Sequence, residues 1–281
     1  MRLRLCNRIA LRILIISLCL FLTLSTLTLS GAGVTYNTTS NFTNGVFYQR
    51  LQDTVLTGDQ RVDIVNIALS QYGYAEGNNN WELSGMKEGI GNYTEYGNWY
   101  GIQSMWCAMF VSWCAQYANV PQNVVPSHAY TPSGVLWYLE RNLVYNRAQV
   151  ENGEYVPQAG DIIYFRSDRN TSIVNHVGIV LGYFDGYIYT IEGNVNSDPN
   201  CTDGGQVLVR SRHISDTFIR YFCVPKYNSD VTHEINHFFP DVESRPTPED
   251  EQLDFGETGE EMLDVPVDNT ASDRAQFNFI P

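Results

Sequence analysis

Residues 174–194 have the sequence VNHVGIVLGYFDGYIYTIEGN, in which two runs rich in Val, Ile and Tyr flank a short polar interruption. Such runs are typical of β-strands, and Phe184-Asp185-Gly186 between them is typical of a hairpin loop. The stretch therefore predicts two antiparallel strands joined by a tight turn. His176 opens the first strand and Glu192 lies near the end of the second, so the hairpin also carries side chains that can perform chemistry.

The register of this hairpin decides which side chains share a face of the sheet. If the loop has three residues, with Gly186 in the left-handed conformation, His176 lies opposite Asn194 and Gly178 lies opposite Glu192. Because side chains alternate along a strand, His176, Glu192 and Asn194 then project from one face, and Gly178 leaves space beside the acid. A two-residue loop would place Glu192 on the other face. The three-residue register predicts an imidazole that is oriented by an acid and an amide.

A second chemical group lies upstream, in the run Trp106-Cys107-Ala108-Met109-Phe110-Val111-Ser112-Trp113-Cys114. Its apolar spacing predicts a helix with Cys107 in the first turn. The free N–H groups and the dipole at a helix N-terminus favour a thiolate. Cys114 lies farther along the same face and is interpreted as a buried structural cysteine. Cys107 and His176 together form two halves of a cysteine nucleophile site.

The order of the remaining elements predicts the fold class. Helices are predicted from about Gly58 to Gly73 and from Thr131 to about Leu143, and residues 75–103 are predicted to be irregular. After Gly160 the pattern changes to strands, predicted at 161–165, 174–183, 187–192, 207–212 and 217–224. Helices followed by antiparallel strands predict an α+β domain in which the N-terminal helices pack on an antiparallel sheet.

Several of these segments, taken in order, resemble one known family. Residues 106–114, Gly160-Asp161-Ile162-Ile163-Tyr164-Phe165, His176-Val177-Gly178-Ile179-Val180 and Ile191-Glu192-Gly193-Asn194 are similar to the CHAP domain, the cysteine- and histidine-dependent amidohydrolases and peptidases. Residues 92–97 also resemble a family segment, with Glu95 where a lysine is common. The resemblance covers residues 57–227 as the catalytic domain and implies a papain-like fold.

The resemblance also implies an activity and a role for each site residue. It implies cleavage of amide bonds in bacterial peptidoglycan, by an N-acetylmuramoyl-L-alanine amidase or by an endopeptidase of stem or cross-bridge peptides. Cys107 is then the nucleophile, His176 the general base and acid, Glu192 the group that orients His176, and Asn194 a supporting polar residue. Gln103 is a candidate for the oxyanion hole. No metal and no cofactor is expected, and the expected partner is peptidoglycan or its fragments.

The N-terminus predicts export of the protein. Residues 1–33 have four arginines, an apolar run and then small residues, which is the order of a signal peptide. The alternative is an uncleaved anchor, in which case this segment would be the contact with a membrane. Residues 34–56 are predicted to be a polar leader. The expected location is therefore secreted or cell-wall associated, or membrane-anchored if the signal is retained.

Charge is unevenly distributed along the chain. The net charge is -14, from 31 acidic and 17 basic side chains, and residues 228–281 hold 14 of the acids. Those residues are predicted to be an acidic, disordered tail. Nucleic acid is not expected as a partner, because phosphate binding needs clustered Lys and Arg that this sequence lacks.

Three alternatives remain at the level of sequence. His233-Glu234-Ile235-Asn236-His237 matches the zinc peptidase motif H-E-x-x-H, although Pro240 soon follows it. Residues 194–200 alternate like a calcium loop, but Pro199 occupies the place of the required glycine. The third alternative is an exported protein without activity that binds the wall or acts as a scaffold.

Overall fold

The computed structural model describes residues 38–166, 173–196 and 203–228. The helices are α1 Ser40–Thr43, α2 Val46–Asp53, α3 Gln60–Ser70, α4 Glu95–Tyr100, α5 Cys107–Tyr117, α6 Thr131–Leu139 and α7 Arg147–Glu151. The strands are β1 Val144–Asn146, β2 Ile162–Arg166, β3 Val174–Phe184, β4 Tyr187–Val195, β5 Gln206–His213 and β6 Ile219–Cys223. These residues form an α+β domain, which confirms the predicted fold class.

The strands form one sheet in the order β1-β6-β2-β3-β4-β5, and all neighbouring pairs are antiparallel. The helices precede most of the sheet in the chain, as expected for a papain-like domain. Three elements after residue 57 differ from the sequence prediction. Helix α4 lies within the segment that was predicted to be irregular, and the short pair β1 and α7 was not predicted.

The β3–β4 hairpin reaches the predicted register by an unexpected route. The loop has two residues rather than three, because Asp185 and Gly186 both have positive φ (50° and 81°) and Phe184 pairs with Tyr187. Positive φ at both central residues is the geometry of a type I′ turn. The register then shifts between Val180 and Gly182, which leaves one extra residue in β3. This bulge compensates for the shorter loop.

The compensation restores the pairing on which the site depends. Gly178 pairs with Glu192, as predicted. A Cβ at Gly178 would lie 2.7 Å from Cγ of Glu192, so the glycine does leave the space that this side chain occupies. The ladder runs from this pair to the turn.

Helix α5 is the buried centre of the domain. Ten of its eleven residues are buried, and it contacts β3, β4, α3 and α4. Gly193 allows β4 to approach the start of α5 closely, because a Cβ there would lie 2.8 Å from both Phe110 and Trp106. Tyr96 of α4 stacks on Trp106 with ring centroids 5.3 Å apart. The residue just before Cys107 is thus fixed from two sides.

Residues 38–53, which fall within the predicted polar leader, are helical and pack on the domain. Phe42, Phe47 and Leu51 are buried, and the Phe42 ring meets Trp113 of α5 edge to face at 6.2 Å. Thr39 donates from its backbone N–H and from Oγ1 to the buried Glu95 carboxylate. The packed domain therefore begins before residue 57, because three apolar side chains are enough to attach a segment that is otherwise polar.

Glu95 should make the stability of this packing depend on pH. Burial raises the pKa of Glu95 to about 7 despite its hydrogen bonds from Thr39. The folded state therefore prefers the protonated acid, so stability is greatest below the ordinary pKa of 4.5 and falls as pH rises towards 7. Between about pH 5 and about pH 8, the unfolding free energy of the unaltered chain should fall by about 2 kcal/mol because of Glu95. We expect this part of the fall to be absent in Glu95→Gln. Urea unfolding at the two pH values measures it.

The matched control is Glu140→Gln, which changes a carboxylate that is largely exposed. It should keep the pH dependence of the unaltered chain. The same slope of unfolding free energy against pH in Glu95→Gln as in the unaltered chain would contradict this role of Glu95.

Some sequence predictions fall outside the described residues. They concern the signal peptide at 1–33, the acidic tail beyond residue 228 and the H-E-x-x-H motif at 233–237. Within the three described ranges, no helix has both the length and the apolar character that crossing a bilayer requires.

Candidate active site

Cys107 is the first residue of helix α5, as predicted, and its side chain is only 4% exposed. The preceding residue, Trp106, provides no side-chain cap for the helix. The N–H groups of the first turn are therefore not occupied by that residue. The Cys107 sulfur lies 4.0 Å from the carbonyl oxygen of Asn175, the neighbour of His176. Helix α5 and strand β3 thus bring the two predicted halves of the site together.

Trp106 is itself anchored by an acid that the sequence analysis did not identify. The indole Nε1 donates to Oε2 of Glu76 at 2.8 Å, and the other oxygen of Glu76 accepts from the backbone N–H of Asn92 at 3.1 Å. Glu76 is 4% exposed. This buried carboxylate links the loop before α4 to the start of the nucleophile helix.

His176 and Glu192 form a buried pair across β3 and β4. Nε2 of His176 lies 2.9 Å from Oε2 of Glu192, and both side chains are excluded from solvent. Since Nε2 is occupied by the carboxylate, Nδ1 is the ring nitrogen that remains for the thiol. This arrangement agrees with the predicted role of Glu192 as the group that orients the imidazole.

The charge state of His176 follows from its two neighbours. Burial lowers its pKa, but its interactions with Cys107 and Glu192 outweigh burial and raise the pKa to about 9. The imidazole is therefore an imidazolium at neutral pH. An imidazolium beside a cysteine stabilises the thiolate form, which is the nucleophilic form.

Glu192 has more partners than His176 alone. Thr190 donates to Oε1 at 2.6 Å, Arg212 Nη1 lies 2.5 Å from the same oxygen, and Arg210 Nη1 lies 3.8 Å from Oε2. Burial raises the pKa of Glu192, but Arg212, His176 and Arg210 outweigh it, and the pKa lies well below the ordinary value. The carboxylate is therefore ionised in the folded protein.

Asn194 lies close to the position that was predicted, but with an irregular backbone. Its φ is 63°, and the β4–β5 register shifts between Glu192 and Val195. The side chain is buried, and its Nδ2 donates to Oδ1 of Asp203 at 3.3 Å. Its supporting role remains a prediction.

Gln103 lies in the exposed turn before α5. Its amide Nε2 donates to the carbonyl oxygen of Gly91 at 2.8 Å. The side chain therefore ties two loops together in this conformation, and its role in an oxyanion hole remains a prediction.

The described residues include three of the cysteines, and they can be searched for groups of side chains that bind a metal ion. Cys107, Cys114 and Cys223 are free and buried, while Cys201 lies outside the described ranges. Within those ranges, no three His, Cys, Asp or Glu side chains are grouped so that they could hold a metal ion.

The geometry combines a thiol at a helix N-terminus, an imidazolium and an ionised carboxylate. Such a set is suited to nucleophilic attack on a carbonyl carbon, with the imidazole moving the proton and the carboxylate fixing the ring. The first turn of α5 offers backbone N–H groups where an oxyanion would form.

Comparison with known proteins identifies one family over part of the chain. The family model of the CHAP domain matches residues 95–194, which span helix α4, Cys107, His176, Glu192 and Asn194. No curated protein and no solved structure matches the chain at a significant level. Residues 95–194 are therefore recognised as a CHAP domain.

Proposed function

We propose that this protein is an exported cysteine hydrolase that cleaves amide bonds in bacterial peptidoglycan, as an amidase or as an endopeptidase of stem or cross-bridge peptides. The observation that carries the proposal is Cys107 at the start of α5 beside the buried His176–Glu192 pair. The family supplies the class of bond, and the signal-like pattern at residues 1–33 supports export.

The proposed reaction begins with attack of the Cys107 thiolate on an amide carbonyl. The carbonyl π electrons move to oxygen, and the backbone N–H of Cys107 at the start of α5 stabilises the oxyanion. Gln103 is the candidate for a second donor. When the C–N bond breaks, the His176 imidazolium protonates the leaving amine, and a thioester remains on Cys107.

Water then releases the acyl group. Neutral His176 removes a proton from the water, hydroxide adds to the thioester carbonyl, and collapse expels the thiolate with the imidazolium beside it. Glu192 stays ionised throughout and holds the ring through Nε2. The net reaction consumes one water and gives one carboxylic acid and one amine.

Digestion of purified cell walls tests the proposal. The full chain should release new amino groups, and mass analysis of the fragments should show the bond that breaks. An amidase frees intact stem peptides from the sugar, whereas an endopeptidase leaves shortened peptides on the sugar. Addition of EDTA should leave the rate unchanged.

The other outcomes favour the alternatives. Binding to walls without any new amino groups would favour a wall-binding or scaffold protein. Loss of the activity in EDTA, with recovery in zinc, would favour the motif at 233–237 as the centre.

A further inference from the structure

Strand β5 places two arginines against the catalytic acid. Arg210 and Arg212 are two residues apart, so their side chains project from the same face of the strand. They are only 7% and 9% exposed. Burial of a guanidinium is unfavourable unless an opposite charge accompanies it, and Glu192 provides that charge for both.

Arg212 lies closer to Glu192 than Arg210 does, and its guanidinium contacts both oxygens of the carboxylate. Its Nη1 lies 2.5 Å from Oε1 of Glu192, and its Nη2 lies 3.5 Å from Oε2. Arg210 donates from Nη2 to the carbonyl oxygen of Asn196 at 2.6 Å. Arg212 is therefore the arginine that is better placed to fix the carboxylate.

The orientation of Arg212 is itself fixed by its surroundings. Its guanidinium lies over the ring of Phe165, 4.4 Å from the centroid, and its Nε lies 3.8 Å from Oδ2 of Asp216. The same Phe165 ring lies 5.7 Å from the His176 ring, at an interplanar angle of 32°. One aromatic side chain thus contacts both the arginine and the catalytic imidazole.

We infer that Arg212 is a positioning residue for the hydrolysis, which acts through Glu192 and does not touch the substrate. Arg212 and Thr190 make their short contacts at Oε1 of the carboxylate, and the shortest contact of Oε2 is with Nε2 of His176. A guanidinium suits this task because it stays charged at all relevant pH values and donates from a rigid planar fork. The inference rests on the proposed function for its catalytic meaning.

The charged groups around Glu192 determine how far the loss of Arg212 would change the pH at which His176 loses its proton. His176 faces it from β3, Arg210 and Arg212 face it from β5, and Cys107 acts on His176 from α5. Without Arg212, Glu192 loses a cation that partly neutralises it, while Arg210 and His176 still favour its ionised form. The imidazolium of His176 then faces a less neutralised carboxylate and no longer has a cation at Arg212 opposing it, so it should give up its proton at a higher pH.

Alkylation of Cys107 provides a test that does not require hydrolysis of any substrate. Iodoacetate is an anion, so an imidazolium beside the thiolate accelerates its reaction relative to neutral iodoacetamide. The ratio of the two rates should fall as His176 loses its proton at high pH. Mass spectrometry of the peptide that contains Cys107 gives each rate in the full chain and separates it from the other thiols.

In Arg212→Met, we expect the midpoint of this fall to move up by about one pH unit. Arg212→Lys keeps a charge but loses the fork and should give a smaller shift in the same direction. The matched control is Arg61→Met, which breaks another buried arginine–carboxylate pair, with Asp161 at 2.9 Å, away from the site. It should leave the midpoint unchanged.

The possible results are distinct. A midpoint unchanged in Arg212→Met overturns the inference, and if that variant does not fold, an unchanged midpoint in Arg212→Lys overturns it equally. A shift in the Arg212 variants supports the inference even where walls are not cleaved. Failure of the proposed function therefore appears in the wall digestion and failure of this inference appears in the alkylation ratio.

Discussion

Replacement of Cys107 by alanine is expected to abolish amide hydrolysis, with a fall in rate on the order of 10⁴-fold or more. The sulfur of Cys107 would form the thioester of the acyl intermediate. Among the described residues, no other free cysteine begins a helix beside an imidazole. The rate of amino-group release from purified walls measures the effect. The substitution removes one sulfur from a packed position, so the fold should persist.

Cys114 provides the matched control, because it is a buried free cysteine seven residues farther along the same helix. Burial raises the pKa of its thiol well above the ordinary value, so it stays protonated and inert. Cys114→Ala should lower stability by about 1 kcal/mol and keep the activity of each folded molecule. A Cys107→Ala variant that retains a tenth or more of the rate would contradict the acyl-enzyme mechanism.

The hairpin shows why the register could be predicted although the turn could not. The sequence analysis expected a three-residue loop, while the structure has a type I′ turn at Asp185 and Gly186 and an extra residue in β3. Each change alone would move Glu192 to the opposite face. Their combination preserves the face on which Glu192 meets His176 and Arg212. Local turn patterns do not contain that tertiary requirement.

The partners of the acid were harder to predict than the acid itself. Arg210 and Arg212 lie on β5 and reach Glu192 only through the pairing of β4 with β5. An alternating strand with two arginines two residues apart indicates one charged face, and such a face is normally assigned to solvent. The one feature of the sequence that could have indicated these contacts is that the two arginines lie on the strand that follows the Glu192 strand. The depth of their burial depends on the whole sheet.

Residues 34–56, the predicted polar leader, show how composition can hide apolar contacts. Its many Asn and Thr residues indicated a solvated segment, but composition averages over position. Phe42, Phe47 and Leu51 place their side chains in the aromatic core beside α5, and Thr39 satisfies the buried Glu95. A few anchors at suitable positions outweigh a polar average. The relation between these residues and residues 75–103 could not be deduced without the fold.

Replacement of Glu192 by glutamine should lower the activity by roughly 10²- to 10⁴-fold, although the side chain keeps its shape. Arg212 can only donate hydrogen bonds, and its shortest contact with the acid is at Oε1. It therefore selects the carbonyl oxygen of the new amide at that position. The amide NH₂ group is then turned towards Nε2 of His176.

That orientation reverses the hydrogen bond which the imidazole makes. Nε2 must accept from the amide, so the proton of the neutral ring moves to Nδ1, the nitrogen that remains for Cys107. A protonated Nδ1 cannot take the proton of the thiol or of the attacking water. The loss of the carboxylate charge also lowers the pKa of His176, because Glu192 is one of the groups that raise it. The alkaline limb of the activity profile should move to lower pH.

Asp161→Asn separates this effect from a general loss of stability. Asp161 is a fully buried acid that pairs with the partly buried Arg61 away from the site, so its replacement takes the negative charge away from an arginine, as Glu192→Gln does. Both variants should lose about 3 kcal/mol of unfolding free energy or more. Only Glu192→Gln should lose activity per folded molecule, because only there does the amide select the wrong tautomer of the base. Equal losses in the two variants would mean that Glu192 serves the fold and not the imidazole.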